Sequence, residues 1–195
     1  MKGLDVLKGV RIVEQGTFIT GPCCGMMLAD LGADVVKIES PDGDPYRAYQ
    51  GGNYSPHFQA YNRNKRSLAL DMKQAGDRQV FDTLIREADV FIQNFRPGTA
   101  DRLGAGAKRL QELNPKLVYC SISGFGADGP YVDRPSYDSV AQALSGFLSV
   151  VVDPDRPRFL GPALADAITG IYASYGILAR CSNAAAPARG AWSRS

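Results

Sequence analysis

One carboxylate, Asp166, stands in "GPALADAITGIYASYGILA" among Ala, Leu, Ile and Gly. With an unperturbed pKa of about 3.9 it is ionised at neutral pH and can attack an activated acyl group as a covalent nucleophile. Shortly after Gly161 and Pro162 it also falls in the first turn of a helix, where the macrodipole favours a carboxylate and free N–H groups need an acceptor. Its small neighbours Thr169, Gly170 and Ala173 let a ligand come close. These surroundings leave cap and nucleophile equally open.

Other candidates differ in strength. "NRNKRS" and "LDMK" bring Lys65, Arg66 and Lys73 close in sequence, where they can engage phosphates or form a solvated edge, and charge alone favours the edge. "NFRPG" joins Asn94, Phe95, Arg96, Pro97 and Gly98 directly after a strand, more chemistry than a structural strand exit needs. "GTFITGPCCG" holds Gly16, Gly21 and Gly25 but does not spell the GxGxxG dinucleotide fingerprint. His57 is the sole histidine, so a Ser-His-Asp or Cys-His mechanism would pass through it; its irregular segment favours a surface or loop-packing role. Four cysteines, two of them adjacent, match neither zinc spacing nor a secreted disulfide framework, so reduced core thiols and no metal are expected.

The elements that must carry these residues alternate. "VRIVEQG", "DVVKIES", "RSLALDM", "DVFIQNF" and "LVYCSIS" read as strands; helices are expected from Gly21, Asp77, Ala107, Tyr137 to Val150, and Leu164 to Ala179. In the last helix Leu164, Ile168, Ile171, Tyr175 and Leu178 share one face, and Asp166, Thr169, Gly170 and Ala173 another. Pro41 to Tyr61 reads as a long irregular excursion. The pattern predicts an α/β fold, a Rossmann-like doubly wound and mostly parallel sheet, with ligands at the carboxyl ends of the strands. A net charge of +2 over 195 residues is too weak for nucleic-acid binding but suits an anionic small ligand. With no signal-like or membrane-length apolar run, a soluble cytoplasmic protein is expected, with neither membrane nor nucleic acid as partner.

Five segments, in order, resemble the class III (formyl-CoA transferase-like) CoA-transferases: "GVRIVEQGTFITGPCCGMMLADLGADVVKIESPDGD", "NRNKRSLALDMK", "ADVFIQNFRPG", "LNPKLVYCSISGFGADGPYVDRPSYDSVAQALSG" and "GPALADAITGIYASYGILA". The resemblance implies that Asp166 is the catalytic nucleophile, passing from a mixed anhydride to an aspartyl-CoA thioester and on to an acceptor carboxylate. It implies coenzyme A contacts at Ile19, Thr20, Leu70, Asp71, Met72, Lys73, Asn94, Phe95, Arg96, Arg102 and Tyr137. The implied substrates are an acyl-CoA and a carboxylic acid, with no tightly bound cofactor and, in full-length members, an interlocked homodimer. Formyl-CoA transferases carry a basic residue after "KIE"; Ser40 stands here, which implies a weakened or rerouted phosphate contact. The α-methylacyl-CoA racemases share these motifs but need a histidine partner, and "RPSYDSV" has none, so transfer is favoured over racemisation. A non-catalytic CoA- or nucleotide-binding fragment is the further alternative.

The resemblance covers Leu7 to Ala179, so residues 1–179 are expected to be the N-terminal part of a CoA-binding Rossmann-like domain, with the family's second domain absent. Residues 180–195 read as a non-family tail, frameshifted or disordered: one synonymous back-translation from Arg180 gives LQQRRRTGAGRVVEV in another frame, the string the family places here. The coding DNA around codon 180 decides that expectation. A chain so shortened is expected to expose apolar faces and to turn over little or not at all.

Overall fold

The computed structural model describes residues 5–49, 55–158 and 161–185, and of 183–185 only the helical backbone. Five parallel strands form one sheet: β1 (Arg11–Gln15), β2 (Asp34–Glu39), β3 (Lys65–Ala69), β4 (Val90–Gln93) and β5 (Val118–Ser121), in the order β3-β2-β1-β4-β5. The expected α/β fold with a doubly wound parallel sheet is therefore present. β1 is central and buried on both faces. Its neighbouring side chains serve different layers: Ile12 packs with Cys24, Leu28, Val90 and Ile177, and Val13 with Leu70, Phe81, Phe91 and Leu110.

The strand order reverses between β1 and β4, where Gln15 lies in register with Gln93. The loops leaving these two carboxyl ends must diverge, and the crevice between them is where such sheets bind ligands. α1 (Thr20–Asp30) follows β1 at that crevice. Its end is closed by Gly32 at φ 98, with Gly32 N donating to Ala29 O and Ala33 N to Leu28 O, which satisfies two final carbonyls. α3 (Ala75–Glu87), α4 (Thr99–Arg102) and α5 (Ala107–Leu113) follow β3 and β4.

Three local expectations are corrected. The excursion from Pro41 holds a 3-10 turn at Pro45–Arg47 and a helix, α2 (Pro56–Asn62), whose cap is Ser55: its Oγ accepts from Phe58 N at 3.1 Å, with Pro56 at the first helical position. Residues 50–54 of that excursion lie outside the described residues. The helix expected from Tyr137 to Val150 is two, α6 (Asp138–Leu144) and α7 (Phe147–Val151), because Gly146 takes φ 78 between them. The helix expected to stop at Ala179 runs on as α8 (Leu164–Ala185), with Cys181 packed against the same core as Ile177.

In α8 the smaller residues face inward. Gly170, Ser174 and Ile177 are buried, whereas Ile168, Ile171, Tyr172 and Tyr175 are exposed. A side chain on Gly170 would place its Cβ 2.9 Å from Thr20 O and 2.8 Å from Cys23 Cβ, so α1 and α8 touch backbone to backbone. Among the described residues no helix is long and apolar enough to cross a membrane.

Candidate active site

The α1–α8 crossing brings residues of the two helix starts together. Thr20, the first residue of α1, donates from Oγ1 to Asp166 Oδ1 at 3.1 Å. The amide of Asp166 is capped by another side chain: its N donates to Asp138 Oδ1 at 3.1 Å, and Gln142 Nε2 donates to Asp138 Oδ2. The helix-start amide is thus served by Asp138, and the Asp166 carboxylate is left facing a cleft. Burial pushes the Asp166 carboxyl above the ordinary carboxylate range and the negative charge of Asp138 adds to this, while the Thr20 hydroxyl opposes it.

The cleft before Asp166 has a volume of about 430 Å³, and Thr17, Phe18, Phe95, Arg96 and Tyr137 contribute to its walls. Asn94 ties the turn after β1: Thr17 N donates to Asn94 Oδ1 and Asn94 Nδ2 to Thr17 O, both at 2.9 Å. A second cleft of about 450 Å³ lies on the β2 side, lined among others by Gln15, Ser40, Leu70, Asp71, Met72 and Lys73. Thr17 and Phe95 line both, so the two adjoin. A ligand with a compact reactive end and a longer body fits this pair better than either alone.

Most of the expected contact residues line these clefts. Thr20, Asn94, Phe95, Arg96 and Tyr137 line the first with Asp166; Leu70, Asp71, Met72 and Lys73 line the second. Ile19 is buried just before α1 and lines neither; Arg102 also stands outside, its Nη2 donating at 2.7 Å to Oγ1 of Thr99, a wall of the first cleft. The three cations weighed together separate. Lys65 is buried against Glu14, Arg66 pairs with Asp34 at the exposed edge, and of the three Lys73 alone lines either of these two clefts. His57 packs obliquely against Tyr46 and edge-to-face against Tyr49, a loop-packing role. Among the described residues no group of three metal-ligating side chains forms, and all four cysteines are free.

Sequence reasoning missed Asp138 and a buried charge cluster, Glu14, Lys37, Asp44 and Lys65. Half of the cluster had a signal. Glu14 and Lys37 sit inside apolar strand runs, and a charge in a buried parallel strand requires a partner; they lie opposite one another in register.

The sequence profile of CoA-transferase family III matches residues 7–191. The chain belongs to CoA-transferase family III. Among similar family III proteins is succinate–glutarate CoA-transferase of Agrobacterium fabrum, 44% identical over 177 residues, which cover 85% of this chain and 44% of that one. Formyl-CoA:oxalate CoA-transferase of Streptomyces avermitilis is 42% identical over 177 residues, covering 89% and 43%. The crystal structure of a CAIB/BAIF family protein from Brucella suis superimposes with a TM-score of 0.87 at 40% identity, covering 92% of this chain and 50% of that one. The family III chain described here therefore spans about half the length of the relatives it matches.

Proposed function

We propose that this chain carries the coenzyme A site and the nucleophile of an enzyme that moves CoA from an acyl-CoA to a carboxylic acid. An Asp166 oxygen attacks the thioester carbonyl and expels the CoA thiolate, leaving an acyl-aspartyl mixed anhydride. The thiolate then attacks the Asp166 carbonyl, releasing the donor acid and forming the aspartyl-CoA thioester. The acceptor carboxylate attacks that thioester, and the freed thiolate completes the new acyl-CoA by attacking the acceptor's carbonyl and returning Asp166 to a carboxylate. The names of the relatives support the reaction class, and the adjoining second cleft supports a ligand as long as coenzyme A.

The observation that carries the reading is the state of Asp166: half-buried, facing a cleft, held by a neutral hydroxyl. A carboxylate whose pKa is raised by burial is more basic, and less hydrated, than one solvated in water or paired with arginine, which suits a nucleophile. Cytoplasmic location, no tightly bound cofactor and the interlocked homodimer of full-length relatives belong to the same proposal. The test is incubation with succinyl-CoA or acetyl-CoA in the presence of hydroxylamine, followed by peptide mass spectrometry. A hydroxamate at Asp166, absent from Asp166→Asn, supports the reading. Coenzyme A binding without modification leaves a CoA-binding module instead.

A further inference from the structure

Beneath the turn that joins β1 to α1, four charged side chains meet: Glu14, Lys37, Asp44 and Lys65, none more than 2% exposed. Lys37 Nζ lies 3.0 Å from Glu14 Oε1, 3.0 Å from Asp44 Oδ2 and 2.7 Å from Gly16 O. Lys65 Nζ lies 2.6 Å from Glu14 Oε2, 2.7 Å from Pro22 O and 2.9 Å from Asn62 Oδ1. Each ammonium hydrogen-bonds two of these oxygens and forms an ion pair with the third, Asp44 Oδ2 for Lys37 and Glu14 Oε2 for Lys65. Two positive and two negative charges cancel, so the burial leaves no net charge behind. Gly25 of α1 makes room, because a Cβ there would overlap Glu14 Oε2.

The neutral partners tell what the cluster does. Gly16 and Pro22 bracket the turn, and one buried lysine holds the carbonyl of each. Asp44 holds the middle: its Oδ1 accepts from Phe18 N at 3.3 Å and from Tyr46 N at 2.9 Å. Phe18 stands at φ 60, a left-handed conformation that costs a bulky residue roughly 1 kcal/mol or more and persists only where its surroundings enforce it. Filling this volume needs no charge, since apolar residues of similar size in place of a buried ion pair are often as stable or more so. Apolar residues cannot fix two carbonyls and an amide.

We propose that Lys37 and Asp44 are positioning residues for the chemistry at Asp166: they fix the turn whose Thr17 and Phe18 wall the cleft and whose last step places the Thr20 hydroxyl on the carboxylate. The proposal rests on Asp166 being the nucleophile. It is distinct from the contacts expected with coenzyme A: neither residue is among them, Lys37 lines neither of the two clefts, and Asp44, which borders the second, is 2% exposed with its oxygens turned to Phe18, Tyr46 and Lys37.

The test is Asp44→Ala in the full chain, with two readouts. Amide hydrogen exchange at Thr17 and Phe18 is expected to rise about 30-fold or more while the β1–β2 ladder stays protected. Hydroxylamine trapping of Asp166 at saturating acyl-CoA is expected to slow about 10-fold, with the half-saturating concentration changed less than about 3-fold. Asp44→Asn, which keeps an oxygen for Phe18 N, is expected to recover most of both losses. If Asp44→Ala gives no folded chain, the double variant Asp44→Ala/Lys37→Met replaces it, since it leaves the Glu14–Lys65 pair balanced. Unchanged exchange in the turn overturns the proposal, and so does a loosened turn with unchanged trapping. If the unmodified chain shows no trapping at all, the nucleophile reading falls and takes the positioning role with it; loosened exchange alone then marks the cluster as structural.

Discussion

Thr20 Oγ1 and Asp166 Oδ1 meet at 3.1 Å across 146 residues of sequence. The hydroxyl stabilises the ionised carboxylate against burial and against Asp138, both of which push its pKa up. Thr20→Val removes that support at nearly constant shape. The Asp166 titration midpoint, followed by carboxyl carbon NMR, is expected to move further upward, and unfolding free energy to fall by about 1 kcal/mol.

The raised Asp166 pKa also sets a pH dependence. Between the ordinary carboxylate value of 3.8 and the higher folded value, the native state holds more protons than the unfolded one, so stability falls as pH rises through that window. Asp166→Asn has nothing to ionise there. Its melting temperature is expected to exceed that of the unmodified chain at pH 7, and the gap to close below about pH 3. Circular-dichroism melts at the two pH values measure both; an equal gap at both would contradict the sign.

Glu39 behaves oppositely. Burial alone would raise its carboxyl, but Arg47, whose Nε and Nη2 each lie at 2.6 Å, the Ser67 hydroxyl at 2.5 Å and the Asp44 amide at 2.9 Å together bring it from 4.5 down to about 2. Its contribution is full above 4.5 and is lost as pH falls toward 2. Glu39→Gln is expected to cost on the order of 2–3 kcal/mol at pH 7 and little at pH 2, as read by urea unfolding at each.

Gly170 sits where the two helices touch. Gly170→Val would drive side-chain carbon into Thr20 O and Cys23, at the 2.9 and 2.8 Å positions a Cβ would take. The expected loss is about 1–3 kcal/mol in urea unfolding. It should come with loss of the Thr20–Asp166 hydrogen bond in a crystal structure of the variant.

Lys73 is the cation of the second cleft. If that cleft takes the charged body of coenzyme A, Lys73→Ala weakens CoA binding about 3- to 10-fold in calorimetry. The difference should shrink as salt rises. Equal affinities for both chains at low salt would place the phosphates elsewhere.

The sheet was legible because each strand is a short apolar run between turn signals, and the β1/β4 crevice follows from the alternation alone. Asp166 was legible as a candidate but not as an uncapped carboxylate: that required knowing that Asp138, from a helix 28 residues earlier, takes its amide. The break at Gly146 was hidden because glycine is tolerated within a helical pattern until its φ is known. In α8 the periodicity puts Ile168, Ile171 and Tyr175 on one face without saying which face is buried; they stand exposed, and close approach to α1 selects Gly170 and Ser174 instead. Side-chain size decides which face can sit against a neighbouring backbone; hydrophobicity alone does not. Lys65 could not be told from a surface lysine by local charge, since the carboxylate that pairs with it, Glu14, stands on another strand far back in the chain, and Lys37 was marked only by the apolar run around it.

The meeting of α1 with α8 has a consequence for the order of events in synthesis. All five strands precede Leu164, so a nascent chain can pair its whole sheet, and seat its buried charges, before the carboxylate of Asp166 has a helix to stand on. The last described helix lies, at Gly170, directly against Thr20 and Cys23 of α1. If Asp166 is the nucleophile proposed above, the reactive group belongs to the last part of the described fold to leave the ribosome, and it meets Thr20 only once α8 lies against α1.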